Sequence, residues 1–235
     1  MSIVKIISRA VVGGGKIFKH FVLGLALNPR NLLQLANWMD NNFPPNSPQI
    51  VKWSTLERHG GKNSCWIETG TYRGDTTQKL SLISDRVFSI EPSEKLFKEA
   101  EIRLSGFSNV TLICGTSENS LEEVFEYICQ EGWKSLSLWL DGHYSEGGTY
   151  KGVKDSPILE ELKIISNYIS NFEDLVILID DVRYFDPRDT VNKDYPSIGV
   201  IIDWVESHGF SWSIEFDIFI AKKNILFPES KISDG

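Results

Sequence analysis

Three carboxylates and one imidazole stand where long apolar runs end in this chain of 235 residues. Leu138-Trp139-Leu140 stops at Asp141 and continues into Gly142-His143, while Leu175-Val176-Ile177-Leu178-Ile179 stops at Asp180-Asp181. Runs of this composition read as buried strands, and two such strands side by side bring Asp141, Asp180 and Asp181 to one sheet edge. Three acids that close repel one another and raise their own pKa values, a conflict that a divalent cation removes. Oxygen donors with no cysteine or paired histidine favour Mg²⁺, with Mn²⁺ and Ca²⁺ as alternatives, over zinc. The competing reading is that one or two of these acids cap the next segment or pair with Arg183 or Arg188. His143, two residues past Asp141, is a candidate general base, because imidazole titrates near neutral pH and a metal lowers the pKa of a bound hydroxyl. The alternative for His143 is a solvated loop histidine; His20, His59 and His208 have no comparable neighbours.

A second constellation lies earlier in the chain. Cys65-Trp66-Ile67-Glu68-Thr69-Gly70-Thr71-Tyr72-Arg73-Gly74-Asp75-Thr76-Thr77 reads as a strand, a turn and the start of a helix. Gly70 and Gly74 permit a sharp bend and a close backbone approach to a ligand, and Asp75 or Thr76 can cap the helix. The Gly-x-x-x-Gly spacing departs from the Gly-x-Gly-x-x-Gly pattern that seats a pyrophosphate. S-adenosylmethionine has no phosphate but carries a sulfonium and an amino group, which an acid such as Glu68 suits. Glu91 ends the run Val87-Phe88-Ser89-Ile90 and is 23 residues beyond Glu68. An acid there can accept two hydrogen bonds from ribose hydroxyls or cap a helix. Ser117, in Gly115-Thr116-Ser117-Glu118-Asn119, falls beside an adenine bound at the sheet edge and also within a helical first turn. Together these residues indicate an adenosine-containing ligand. They leave a nicotinamide-dependent oxidoreductase as a rival, which would use the same Glu91 but requires a third glycine in the turn.

The elements that must hold these groups follow from alternating short apolar runs and helix-period segments, the pattern of a parallel sheet covered by helices. Strands are predicted at 64–68, 86–91, 110–114, 136–141 and 175–180, with helices at about 76–84, 94–105, 119–130, 157–170 and 197–208. The runs 211–216 and 217–222 leave no room for a crossover helix and must pair antiparallel. The expectation is a doubly wound, mostly parallel seven-stranded sheet ending in an antiparallel hairpin, an arrangement unusual for dinucleotide dehydrogenases. Long loops at 142–156 and 181–196 would lie at carboxyl ends of strands, where open α/β sheets bind ligands.

Composition sets the outer limits. The length suits one α/β domain, divided here into a helical extension at 1–61, a catalytic domain at 62–225 and a tail at 226–235. Cys65, Cys114 and Cys129 show no metal-ligand spacing and read as buried, reduced thiols, as in a cytoplasmic protein. A net charge of −8 argues against a nucleic-acid partner. Residues 1–39 nevertheless contain Lys5, Arg9, Lys16, Lys19 and Arg30 and no acid. On a helical wheel Lys5, Arg9, Lys16, Lys19 and His20 fall opposite Ile3, Ile7, Ala10, Ile17, Phe18, Phe21 and Leu25. Residues 1–27 therefore fit either peripheral contact with an anionic membrane or a helical lid packed on the catalytic domain or a second subunit. Gly13-Gly14-Gly15 weakens such a helix by about 1 kcal/mol per glycine. No stretch is long enough to span a bilayer.

With these residues in hand, the chain resembles class I S-adenosylmethionine-dependent methyltransferases, in particular the macrocin and aminocoumarin type of O-methyltransferase and, more distantly, the catechol O-methyltransferases. The resemblance covers about residues 62–222 and rests on Ile67-Glu68-Thr69-Gly70-Thr71-Tyr72-Arg73-Gly74, Ile90-Glu91, Leu140-Asp141-Gly142-His143 and Ile179-Asp180-Asp181. It implies a Rossmann-like methyltransferase fold. It also implies cofactor contacts from Glu68, Gly70, Thr71, Tyr72, Gly74, Glu91, Ser117 and Asp141, and Mg²⁺ held by Asp141, Asp180 and Asp181. The implied reaction is in-line methyl transfer to a hydroxyl of a small sugar, polyketide or phenolic acceptor. Macrocin-type enzymes place an acid two residues after the first metal aspartate, where this chain has His143. The loop 145–152 is longer than that family leads one to expect. A membrane-associated binding module with an inactive methyltransferase-like domain is the other rival.

Overall fold

The structure is a computed structural model and describes residues 29–61, 64–142, 156–188 and 195–224. His143, the basic segment at 1–27 and the tail at 226–235 lie outside the described residues. Two compact units divide between Arg58 and His59. In the first, α1 (Pro29–Asp40) and the greater part of α2 (Gln49–His59) share a small core of Leu35, Trp38 and Val51, flanked by Leu32, Met39 and Ile50. Between the two helices Phe43 packs edge-on against Trp38, with centroids 5.0 Å apart. The Trp38 indole N–H donates to the Pro44 carbonyl at 2.8 Å, so the short connection is tied down by its own residues.

The second unit holds a seven-stranded sheet. Its strands are β1 (Cys65–Thr69), β2 (Arg86–Glu91), β3 (Val110–Cys114), β4 (Ser135–Leu140), β5 (Asp174–Ile179), β6 (Phe210–Glu215) and β7 (Ile218–Lys223). Helices α3 (Asp75–Ser81), α4 (Glu94–Leu104), α5 (Ser117–Gln130), α6 (Ile158–Ser166) and α7 (Ile198–Ser207) connect them. The strand order is β3-β2-β1-β4-β5-β7-β6. β1 to β5 are parallel, and β7 runs antiparallel between β5 and β6. The predicted hairpin is therefore present, and each predicted strand start falls within one residue of the observed one. The helix predicted over 157–170 instead ends at Ser166, and a separate 3₁₀ turn spans Ile169–Asn171.

Strands β1, β2, β4 and β5 read as near-continuous apolar runs because both faces of a parallel sheet are covered. Side chains alternate between those faces. Cys65, Ile67, Leu138 and Ile177 join Leu121, Phe125, Ile128, Leu162, Ile165, Ile201 and Val205 in the main core, under α5, α6 and α7. Glu68 faces the other way, toward Thr77 of α3. β3 and β6 are the sheet edges, and their burial falls accordingly: Ser211 to Ile214 are exposed. Cys114 is exposed and Cys129 half-buried, contrary to the expectation of three buried thiols; only Cys65 is buried. The reason is β3's edge position, which leaves its last residue uncovered. Among the described residues no helix is long and apolar enough to cross a membrane.

Candidate functional site

Strand order reverses between β1 and β4, so the carboxyl ends of these strands border the crevice where open α/β sheets bind ligands. Asp141 follows β4 directly and donates its backbone N–H to the Thr69 carbonyl at 3.1 Å. Asp180 follows β5 and donates to the Leu140 carbonyl at 3.0 Å. The parallel ladder thus carries on past the strands and sets both acids at the same level.

The turn after β1 is held from two sides. Gly70 and Thr71 donate to the Ile90 carbonyl at 3.0 and 3.2 Å, and Gly74 donates to Thr71. Gly70 has φ +87°, and a Cβ there would sit 2.4 Å from the Asp141 carbonyl oxygen. Only glycine lets this turn lie against the end of β4, which brings the turn and the first acid of the cluster into contact. Gly74 has φ +78°, and a Cβ there would meet Leu104 Cδ1 at 2.8 Å. Its missing side chain therefore serves packing against α4. Tyr72 is also left-handed, with φ 51°, and its N–H donates to Glu91 Oε2 at 2.7 Å.

Glu68 is buried under this turn, and its Oε2 accepts hydrogen bonds from Thr77 and from Ser89, each at 2.5 Å. Ser89 Oγ also lies 2.6 Å from Thr71 Oγ1, so hydroxyls from β2 and α3 converge on one carboxylate oxygen and the Thr71 hydroxyl of the turn is linked to it through Ser89. The other oxygen, Oε1, is buried with no hydrogen-bond partner. Burial pushes this carboxyl from 4.5 up to about 7, with the two hydroxyls working against the rise and Glu91 adding to it. A buried acceptor left without a donor costs on the order of 1–3 kcal/mol, and a ligand ammonium would satisfy it.

Glu91 ends β2 and is buried. Its Oε1 accepts from the Ser93 backbone at 2.9 Å and its Oε2 from Tyr72. Burial raises its pKa against these two hydrogen bonds. The helix-capping role falls to Ser93, the N-cap of α4. Each Glu91 oxygen retains capacity for a second donor such as a ribose hydroxyl. Ser117 is buried in the first turn of α5, after the N-cap Thr116.

Asp141, Asp180 and Asp181 each offer a carboxylate oxygen such that all three lie within 4.8 Å of one another. Three oxygen donors at this spacing fit a hard divalent cation, and no sulfur or imidazole is among them. The pairing with Arg183 is also present: its NH1 donates to Asp181 Oδ1 at 2.6 Å. The expected convergence of the three acids and the expected pairing of one of them with Arg183 are thus both present. Arg188 pairs with Asp186 instead. Asp181 has left-handed backbone, φ 58° and ψ 45°.

One residue of this neighbourhood, Asp217, went unnoticed in the sequence. Asp217 sits in the two-residue turn between β6 and β7, and with Phe216 it has positive φ, 70° and 50°, the geometry of a tight hairpin turn. Its carboxylate accepts from the Arg183 backbone at 2.9 Å and from Arg183 NH1. The adjacent strand-like runs signalled a hairpin, but nothing local links Asp217 to a residue 34 positions earlier.

No family model matches this chain, and no curated protein matches it. Solved structures do resemble it, and the likeness in fold rests on the first of those that follow. A Staphylococcus aureus protein assigned as a caffeoyl-CoA O-methyltransferase aligns over 88% of this chain and 99% of its own length, with TM-score 0.51 and 16% identity. A Clostridium thermocellum protein assigned as an rRNA methylase covers 73% of this chain and 94% of its own, with TM-score 0.49 and 12% identity. A Streptococcus mutans protein assigned as a methyltransferase, in complex with SAH, covers 73% and 94%, with TM-score 0.46 and 16% identity. The chain has the class I S-adenosylmethionine-dependent methyltransferase fold, with the antiparallel β7 set between β5 and β6. A dinucleotide-binding Rossmann domain instead continues with parallel strands in the order 3-2-1-4-5-6.

Proposed function

We propose that this protein is a Mg²⁺-dependent O-methyltransferase that uses S-adenosylmethionine to methylate a hydroxyl of a small sugar, polyketide or phenolic molecule. The observation that carries the reading is the packing of Gly70 against the backbone of Asp141, which abuts a glycine turn with a buried acid to a cluster of three carboxylates. S-adenosylmethionine supplies an electrophilic methyl on a sulfonium, and Mg²⁺ supplies positive charge for the acceptor oxygen. Glu68 Oε1 accepts from the cofactor's ammonium, Glu91 accepts from the ribose hydroxyls, and Ser117 lines the adenine position. Asp141, Asp180 and Asp181 hold the cation and fix the acceptor oxygen. His143, two residues past Asp141, takes the acceptor's proton.

The test uses the full chain, labelled S-adenosylmethionine and a panel of sugar, polyketide and phenolic acceptors. Asp180→Ala abolishes Mg²⁺-dependent transfer and leaves S-adenosylhomocysteine affinity within about twofold, because the acid lies at the cation and not at the adenosine. Transfer that persists undiminished in chelator contradicts the metal role.

A further inference from the structure

We infer that Arg183 and Asp217 form a clasp that positions Asp181 for cation binding, so that the β6–β7 turn belongs to the metal site without touching the metal. This inference rests on the metal-dependent reading given above. Asp181 holds a left-handed backbone with φ 58°, a conformation that is strained for a non-glycine residue and persists where its surroundings enforce it. Several contacts do so. Asp181 donates its N–H to Asp180 Oδ1 at 2.8 Å, its carbonyl accepts from the Tyr184 N–H at 3.0 Å, and its Oδ1 accepts from Arg183 NH1 at 2.6 Å.

Arg183 is itself held from the hairpin turn. Asp217 accepts the Arg183 N–H at 2.9 Å through Oδ1 and Arg183 NH1 through Oδ2, while its backbone carbonyl accepts from Val182 N–H at 3.0 Å. The guanidinium carbon lies 4.4 Å from the Tyr184 ring centroid, and NH2 reaches Tyr184 Oη at 3.3 Å. The Asp217 side chain is 3% exposed and that of Arg183 23%, so the pair sits where screening is weak.

Charge explains why both partners are needed. A lone guanidinium beside three acids competes with an incoming cation. Asp217 neutralises Arg183 and draws NH1 into a bridge between two carboxylates, which keeps Asp181 oriented at little cost to the negative potential. Removal of Arg183 leaves Asp217 and Asp181 facing each other as like charges; burial and Asp181 already raise the pKa of Asp217.

Mn²⁺ binding to the full chain, followed by electron paramagnetic resonance and competed with Mg²⁺, tests the clasp. Asp217→Asn preserves side-chain size in a turn that favours asparagine, and Arg183→Gln supplies a second, independent variant. Each weakens Mn²⁺ binding by about tenfold, the scale typical of residues that orient metal ligands. The double variant is weakened by about the same factor and not by the product, because the two act through one contact. S-adenosylhomocysteine affinity stays within about twofold in all three, since the clasp does not touch the cofactor turn. Mn²⁺ affinity unchanged in both single variants overturns the clasp, as does full multiplication of effects in the double variant. Parallel loss of Mn²⁺ and S-adenosylhomocysteine binding marks a structural role and also overturns it. If the unaltered protein binds no Mn²⁺, or binds it regardless of Asp180→Ala, the metal reading fails and takes the clasp with it. Binding that depends on Asp180 but ignores Asp217 defeats the clasp alone.

Discussion

Replacing Glu68 by glutamine separates two consequences of one buried carboxyl. Burial pushes this group from 4.5 up to about 7. A carboxyl that holds its proton more tightly when folded favours the folded state most at low pH, and that advantage is lost as pH rises through the folded value. From 4.5 and about 7, Glu68 makes the ligand-free protein roughly 2–3 kcal/mol less stable at pH 8 than at pH 5. Glutamine has no such proton, so the Glu68→Gln curve lacks that decline. Any cost of placing an amide N–H₂ at the Oε1 position is independent of pH and cancels when the two curves are compared. Urea denaturation across this range, read as variant minus wild type, should therefore rise by roughly 2–3 kcal/mol toward high pH. A difference flat to within about 0.5 kcal/mol refutes the burial argument. The same substitution should weaken S-adenosylhomocysteine about tenfold or more, because a neutral amide cannot match a carboxylate as partner for an ammonium. Glu68 would then be retained for binding at the expense of stability.

Gly70→Ala forces a Cβ to within 2.4 Å of the Asp141 carbonyl oxygen at φ +87°, and should cost about 3 kcal/mol or more from left-handed strain and overpacking together. Urea midpoints measure this, and a loss under about 1 kcal/mol would mean the turn and β4 yield easily. Phe125 is fully buried and stacks on Tyr168 with centroids 4.8 Å apart. Phe125→Ala should cost about 3–5 kcal/mol while leaving the ratio of S-adenosylhomocysteine to Mn²⁺ affinity unchanged in the folded fraction. A shift of that ratio would tie this core to the site.

Much of this architecture is readable in the chain because parallel strands buried on both faces show themselves as unbroken apolar runs. Leu138-Trp139-Leu140 and Leu175 to Ile179 are such runs, and their acidic ends predicted the cluster that the ladder aligns. The terminal hairpin was legible because two strand-like runs met with no helix between. What escaped depends on contacts far apart in sequence. Nothing near Asp217 reveals that its carboxylate holds Arg183, and nothing near Gly74 reveals Leu104 pressing on it. Cys114 reads as a core residue from its apolar neighbours, and only the strand order reveals that β3 is an edge. Glu68 was recognised as an acid near the turn, but the two hydroxyls gathered at its Oε2, from Thr77 and Ser89, come from separate elements.

Equilibrium binding of S-adenosylhomocysteine and NADH to the full chain, repeated with Glu91→Ala, tests the central claim most directly. The proposed reading predicts that S-adenosylhomocysteine binds, that NADH does not, and that loss of the Glu91 carboxylate weakens the first by about tenfold or more. Binding of NADH with no binding of S-adenosylhomocysteine would contradict the account.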